Sequence, residues 1–257
     1  MNKMTFGMSI VAGLAVAGNA WAAGQNYGSF VGANVTYTDV TENSTTDPLP
    51  LFGAPTVVGD TMSFSPNNYE SFANAGVPAD ITDSQLSFTL STNDNDTSLT
   101  MFELTETGDY TLIGPPGSFA QAVISTPVFF DITGVDGVEV DGPSGSFNMV
   151  IVPASGNFVL PGTGGVITGV IWSGSIQIDL LGALAGTEFE GQGVTEAYIT
   201  IDNVLASAAA GGASSFIKKK ETDGVVIEIT TIDRGDIPEP ATATLLALGL
   251  AAIARRS

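Results

Sequence analysis

The chain has 257 residues, 27 acidic and 7 basic side chains for a formal net charge of −20, and neither cysteine nor histidine. The two absences exclude disulfide staples, thiol nucleophiles, Ser-His-Asp and Cys-His arrangements, histidine zinc sites and every imidazole acid–base step, and with them we expect no catalytic residue, no metal site and no cofactor. Between Lys3 and Lys218 there is no Lys or Arg, which argues against nucleic acid as a partner, because phosphate recognition runs through those cations.

At the N-terminus, Lys3 is a basic n-region, Ile10 to Ala17 forms an apolar h-region, and Ala20-Trp21-Ala22 fits the small-x-small rule of signal peptidase. With Ala20 and Ala22 as the recognition residues, residues 1–22 read as a signal peptide and the mature chain starts at Ala23. From Tyr27 to Thr231 short alternating apolar runs are separated by Gly, Pro, Asn and Asp clusters, which is strand punctuation. Leu86, Phe88 and Leu90 recur at every second position within Gln85 to Ser91. Phe119 to Ile132 is a longer apolar stretch that Pro127 divides. Trp172, Ile176, Ile178 and Leu180 share one parity, so one face of that strand is buried and Trp172 packs in the core.

Ser146 to Val152, Ala197 to Asp202 and Gly224 to Thr230 read as further strands, and Leu180 to Ala185 and Leu205 to Ala210 as single turns or bulges. Thr41 to Pro55 and Asn93 to Ser98 read as exposed loops. Many short strands with frequent turns predict an all-β body over 23–232, an antiparallel β-sandwich or jelly roll.

Four groups of side chains invite chemical readings. Asn93-Asp94-Asn95-Asp96 offers clustered oxygen ligands of the kind calcium prefers, but counted from Asp94 an EF-hand-like loop would need glycine where Leu99 stands, so a solvated turn is expected. Asp131, Asp136, Glu139 and Asp141 form a second acidic group whose Asp136-Gly137 and Asp141-Gly142 pairs read as turns. Lys218-Lys219-Lys220 reads as an exposed lysine edge that discourages strand addition. Asn34, Asn43 and Asn95 each open an Asn-x-Ser/Thr triplet.

After Asp233 the chain reads Ile237-Pro238-Glu239-Pro240, then the uncharged run Ala241 to Ala254, then Arg255-Arg256-Ser257. Each proline holds the residue before it extended, which offers open backbone to a protease, and Pro240 suits the first position of a helix. The run predicts a short transmembrane helix, below the roughly 20 residues of a full span and so suited to a transient anchor. Arg255 and Arg256 act as a stop-transfer signal, keeping the far end in the cytoplasm and the body outside. Pro-Glu-Pro, apolar run and terminal arginines in this order resemble the tail of PEP-CTERM proteins. The resemblance implies a sorting tail over 233–257, with Pro238, Glu239 and Pro240 as sorting and processing residues, and an exosortase as partner. It also implies association with exopolysaccharide or biofilm.

The expected function is therefore that of an exported, non-enzymatic protein of the cell envelope or extracellular matrix, in contact with the membrane only through its tail. Two alternatives stay open: a secreted glycan-active hydrolase using paired carboxylates, for which no pair is selected, and a calcium-, glycan- or ice-binding module.

Overall fold

Strands form where β-branched and aromatic residues fill the stretches between Gly, Pro, Asn and Asp. A computed structural model describes residues 24–237. In it the chain runs through β1 (Gln25–Val31), β2 (Val35–Asn43), β3 (Thr56–Val58), β4 (Thr61–Phe64), β5 (Glu70–Ala73), β6 (Ala79–Thr92), β7 (Thr97–Gly114), β8 (Phe119–Ser125) and β9 (Pro127–Val135). It continues through β10 (Val138–Glu139), β11 (Ser144–Asn148), β12 (Val150–Val152), β13 (Asn157–Val159), β14 (Gly165–Asp179), β15 (Val194–Ala210), β16 (Ser214–Lys219) and β17 (Val225–Asp233).

The pairings form two antiparallel ladders built alike. In the first, β15 pairs along one edge with β6, and its other edge takes β9 and β8 end to end. Beyond β6 lie β2 and β1, and beyond β9 and β8 lie β10, β11 and β13. In the second, β7 pairs along one edge with β14, and its other edge takes β17 and β16 end to end. Outside these sit β12, β4 with β3, and β5. The Val194–Leu99 pair joins the ladders, so the expected all-β antiparallel body is one continuous sheet, nearly a barrel, rather than two separate leaves.

Alternation places the core between the ladders. Leu86, Phe88 and Leu90 of β6 and Ile199, Ile201 and Leu205 of β15 are buried with Phe102, Leu104 and Leu112 of β7, Trp172 and Ile178 of β14, and Val225 and Ile227 of β17. Truncating one of the large ones, as in Phe88→Ala, is expected to cost about 3–5 kcal/mol.

Three local expectations are corrected. Leu205 to Ala210 is neither turn nor bulge but the end of β15, because β6 and β8 pair with it on both edges and hold its alanines extended. Thr41 to Pro55 is not wholly exposed: Leu51 and Phe52 are buried, and their amides donate to Glu42 Oε1 at 2.9 and 3.2 Å. Asp136-Gly137 is a turn with both φ positive, at 53° and 76°, whereas Gly142 donates its amide to Ile132 O, where a Cβ would collide with that carbonyl. The expected signal peptide and the short transmembrane helix lie outside the described residues, among which no helix is long and apolar enough to cross a membrane.

Candidate functional site

Both ladders change partner at the same level, and polar side chains meet there. On β7 the core-facing row is Phe102, Leu104, Glu106, Gly108, Tyr110 and Leu112, so Glu106 faces inward by the same alternation that buries its apolar neighbours. Lys219 ends β16 opposite Gly108, and Trp172 of β14 lies opposite the same glycine on its other side. A Cβ at Gly108 would overlap the indole; its absence makes room for Trp172. From the first ladder come Asn203 of β15 and Thr126, the residue at the break between β8 and β9.

These groups form one network across the core. The Lys219 ammonium is in a tight ion pair with Glu106 Oε2 and donates to Asn203 Oδ1 at 2.7 Å; both charged side chains are 0% exposed. Thr126 Oγ1 is 3.0 Å from Asn203 Oδ1 and 3.2 Å from Glu106 Oε2. The Tyr69 hydroxyl donates to the Asn203 carbonyl at 2.6 Å, and Lys219 Nζ lies 5.1 Å from the Tyr69 ring centroid and 5.7 Å from that of Trp172. Burial pushes the Lys219 ammonium below its ordinary pKa, and Glu106 pulls the other way. Burial likewise holds the Tyr69 phenol well above its own. Glu106 Oε1, Asn203 Nδ2 and Trp172 Nε1 are buried without a hydrogen-bond partner.

This overturns the reading of Lys218-Lys219-Lys220 as an exposed edge. Lys218 and Lys220 do face outward, paired with Glu221 at 3.3 Å and Asp109 at 3.0 Å. Lys219 shares the parity of Ser215 and Ile217, and all three are buried.

On the outer side of the first ladder, Asp83 of β6 stands near Asp202 of β15 and Asp47 of the loop after β2. Burial, then Asp202 and Asp47, push the Asp83 carboxyl up to about 6. Asp83 Oδ1 and Asp47 Oδ2 are buried and unpartnered. Among the described residues no group of three or more acidic side chains is placed to hold a metal ion.

The Asn93 to Asp96 turn has a structural task. Asp94 Oδ1 accepts from the amides of Asp96 and Thr97 at 3.0 and 2.9 Å. The carbonyls of Asn95 and Asp96 accept from the Arg234 guanidinium at 2.6 Å and the Arg234 amide at 2.7 Å. Arg234 also pairs with Asp136, whose carboxylate takes the Gly193 amide at 2.8 Å. Asp131, Glu139 and Asp141 are exposed and stay outside this contact. Asn34, Asn43 and Asn95 are exposed, and the Asn34 amide donates to Asp60 at 2.7 Å. Arg234 clamps the end of β17, and Ile237, the last described residue, still lies beside Gly193. Ala20, Ala22, Pro238, Glu239, Pro240, Arg255 and Arg256 lie outside the described residues.

The segment beyond that clamp matches a known pattern: the model of the PEP-CTERM protein-sorting motif covers residues 236–257. The chain carries a PEP-CTERM sorting tail. Such a tail supports export with a membrane-held precursor and implies processing by an exosortase. No curated protein matches the chain. Among solved structures, the enzymatically active domain of tailspike protein 4 of bacteriophage CBA120 is similar at 13% identity over 77% of this chain, with a TM-score of 0.21. The chain spans 19% of that protein's length. The PEP-CTERM match concerns the tail; the body's chemistry rests on the side chains described above.

Proposed function

We propose that the protein is a non-enzymatic structural component of the cell envelope or extracellular matrix, exported, held briefly in the inner membrane by its tail, and released by an exosortase. The observation that carries this reading is the PEP-CTERM motif at residues 236–257. It begins two residues after Arg234, whose contacts with Asn95, Asp96 and Asp136 hold the end of β17. A cut near Pro238 to Pro240 therefore removes none of the contacts described for residues 24–237, and the released body keeps its fold. The net charge of −20 over the whole chain keeps such a body soluble and favours contact with acidic exopolysaccharide through bridging divalent cations.

Replacing Pro238, Glu239 and Pro240 together with alanine tests the reading in the native host. The expected result is a larger precursor retained in the membrane fraction, with loss of the mature form from the surface and medium. Normal processing and release of the altered chain would refute it.

A further inference from the structure

The buried network holds a nucleophile, an electrophile and a proton carrier in contact. Lys219 Nζ is 2.7 Å from Asn203 Oδ1, and a C=O bond is about 1.2 Å long, so Nζ lies no more than about 3.9 Å from Asn203 Cγ. Glu106 Oε2 touches Nζ, and Thr126 Oγ1 reaches both Oδ1 and Oε2. All of this is dry: Lys219 and Glu106 are 0% exposed, as is Asn203. We propose that Lys219 and Asn203 condense spontaneously into an intramolecular isopeptide bond, with Glu106 as the proton carrier, stapling the two ladders through the core.

The step balances without any co-reactant. The ammonium passes one proton to Glu106, leaving a neutral amine and a carboxylic acid, the form a low-dielectric site favours over separated charges. The Nζ lone pair adds to Cγ while Oδ1, already polarised by Thr126, takes the negative charge. On collapse the Cγ–Nδ2 bond breaks; Nδ2 takes the Glu106 proton and leaves as ammonia, and Glu106 recovers a proton from the new amide nitrogen. The products are a secondary amide, ammonia and neutral Glu106, with no change of oxidation state. Holding the reactants in contact supplies the orientation that a bimolecular aminolysis lacks.

The defects of the cluster favour this outcome. A buried ion pair offsets its desolvation penalty only with its other polar atoms satisfied, yet Glu106 Oε1 and Asn203 Nδ2 have no partners. Condensation removes both charges and expels Nδ2. It also gives a chain without cysteine a covalent link between β15 and β16, strands that lie in different ladders.

The test is peptide mass spectrometry on the folded full-length chain, denatured and digested with chymotrypsin. Phe216 lies between Asn203 and Lys219, so cleavage there separates the two unless they are bonded. The expected product is a branched peptide lighter than its two separate components by one ammonia. A free Lys219 amine with Asn203 as amide or aspartate, in protein shown to be folded, overturns the proposal. Glu106→Gln keeps the shape and removes the proton carrier; folded protein of this variant is expected to lose the branch, and a branch formed to the wild-type extent overturns the role of Glu106. Should that variant fail to fold, the wild-type digest still decides whether the bond exists. The result does not depend on the tail, so it stands or falls separately from the sorting assay.

Discussion

Replacing Asp83 with asparagine removes a carboxylate whose ionisation the fold opposes. Burial, Asp202 and Asp47 raise Asp83 from its ordinary 3.8 to about 6, so between those values the native state holds a proton that the unfolded chain has lost. Stability from this group is therefore fully present only below about pH 3.8, falls as the pH rises through about 6, and is absent above it. At about 1.4 kcal/mol per pH unit the ceiling is about 3 kcal/mol; the side chain is partly exposed, and screening by solvent reduces this to about 1 kcal/mol. The amide that replaces the carboxyl carries no charge at any pH and can donate to Asp202, so the variant gains that amount at pH 7.5 and little at pH 4. Urea unfolding measures it: with a slope of about 2 kcal/mol per M, the midpoint should move up by about 0.5 M at pH 7.5 and converge with wild type at pH 4. Because the Asp202 charge is one of the causes that raise Asp83, Asp202→Asn should also raise stability at pH 7.5, and the double variant should gain less than the sum. An equal gap at both pH values, or a wild type that is the more stable at pH 7.5, would refute the reasoning.

Two further substitutions probe the core and the exit. Gly108→Val drives a side chain into the Trp172 indole and the Lys218 carbonyl, and overpacking of this kind costs about 1–3 kcal/mol. Trp172 is the sole tryptophan outside the expected signal peptide, so its emission in the processed protein should shift to the red; unchanged emission and midpoint would contradict the packing described. Arg234→Ala removes the pairing with Asp136 and the bond to Asn95 O, which together hold the end of β17 at a partly exposed site worth about 1–2 kcal/mol. Hydrogen exchange should speed up at Thr231 to Asp233 while β6 and β15 keep their protection, and equal protection at that end would show that the clamp does nothing.

The outline of the body is legible in the sequence because burial and alternation coincide in β6, β14 and β17. Leu86, Phe88 and Leu90 announce a strand without help from any neighbour, and Pro127 announces the break between β8 and β9. The chemistry is hidden by the same rule. Glu106, Asn203 and Lys219 interrupt apolar parities: Phe102 and Leu104 before Glu106, Ile199 and Ile201 before Asn203, Ile217 before Lys219. A polar residue in such a row is a signal only when the strand is extended through it. Read as the middle of a lysine run, Lys219 passes for surface; read as the next inward position of β16, it is in the core. What local sequence cannot contain is the coincidence of the three, since that depends on β7 and β15 changing partners at the same level. The burial of Leu51 and Phe52 is hidden for a related reason, because it is Glu42, on the neighbouring strand, that satisfies their amides.

The scarcity of cations in this body bears on why Lys219 is where it is. Four basic residues occur between positions 24 and 237, and all four are in ion pairs. Three of those pairs are at least partly exposed, where a pair is worth about 0–1 kcal/mol and assists solubility. The fourth places a scarce cation in the core, although a hydrophobic pair of the same volume is often as stable or more so. Packing alone therefore gives no reason for a lysine at this position, and neither does fold class, since β16 would pair with β7 equally well with an isoleucine there. A reason must come from what an amine can do beside a carboxyl and an amide, away from water. Aminolysis uses all three groups at once, and its product gives a chain without cysteine a covalent link that no disulfide can supply.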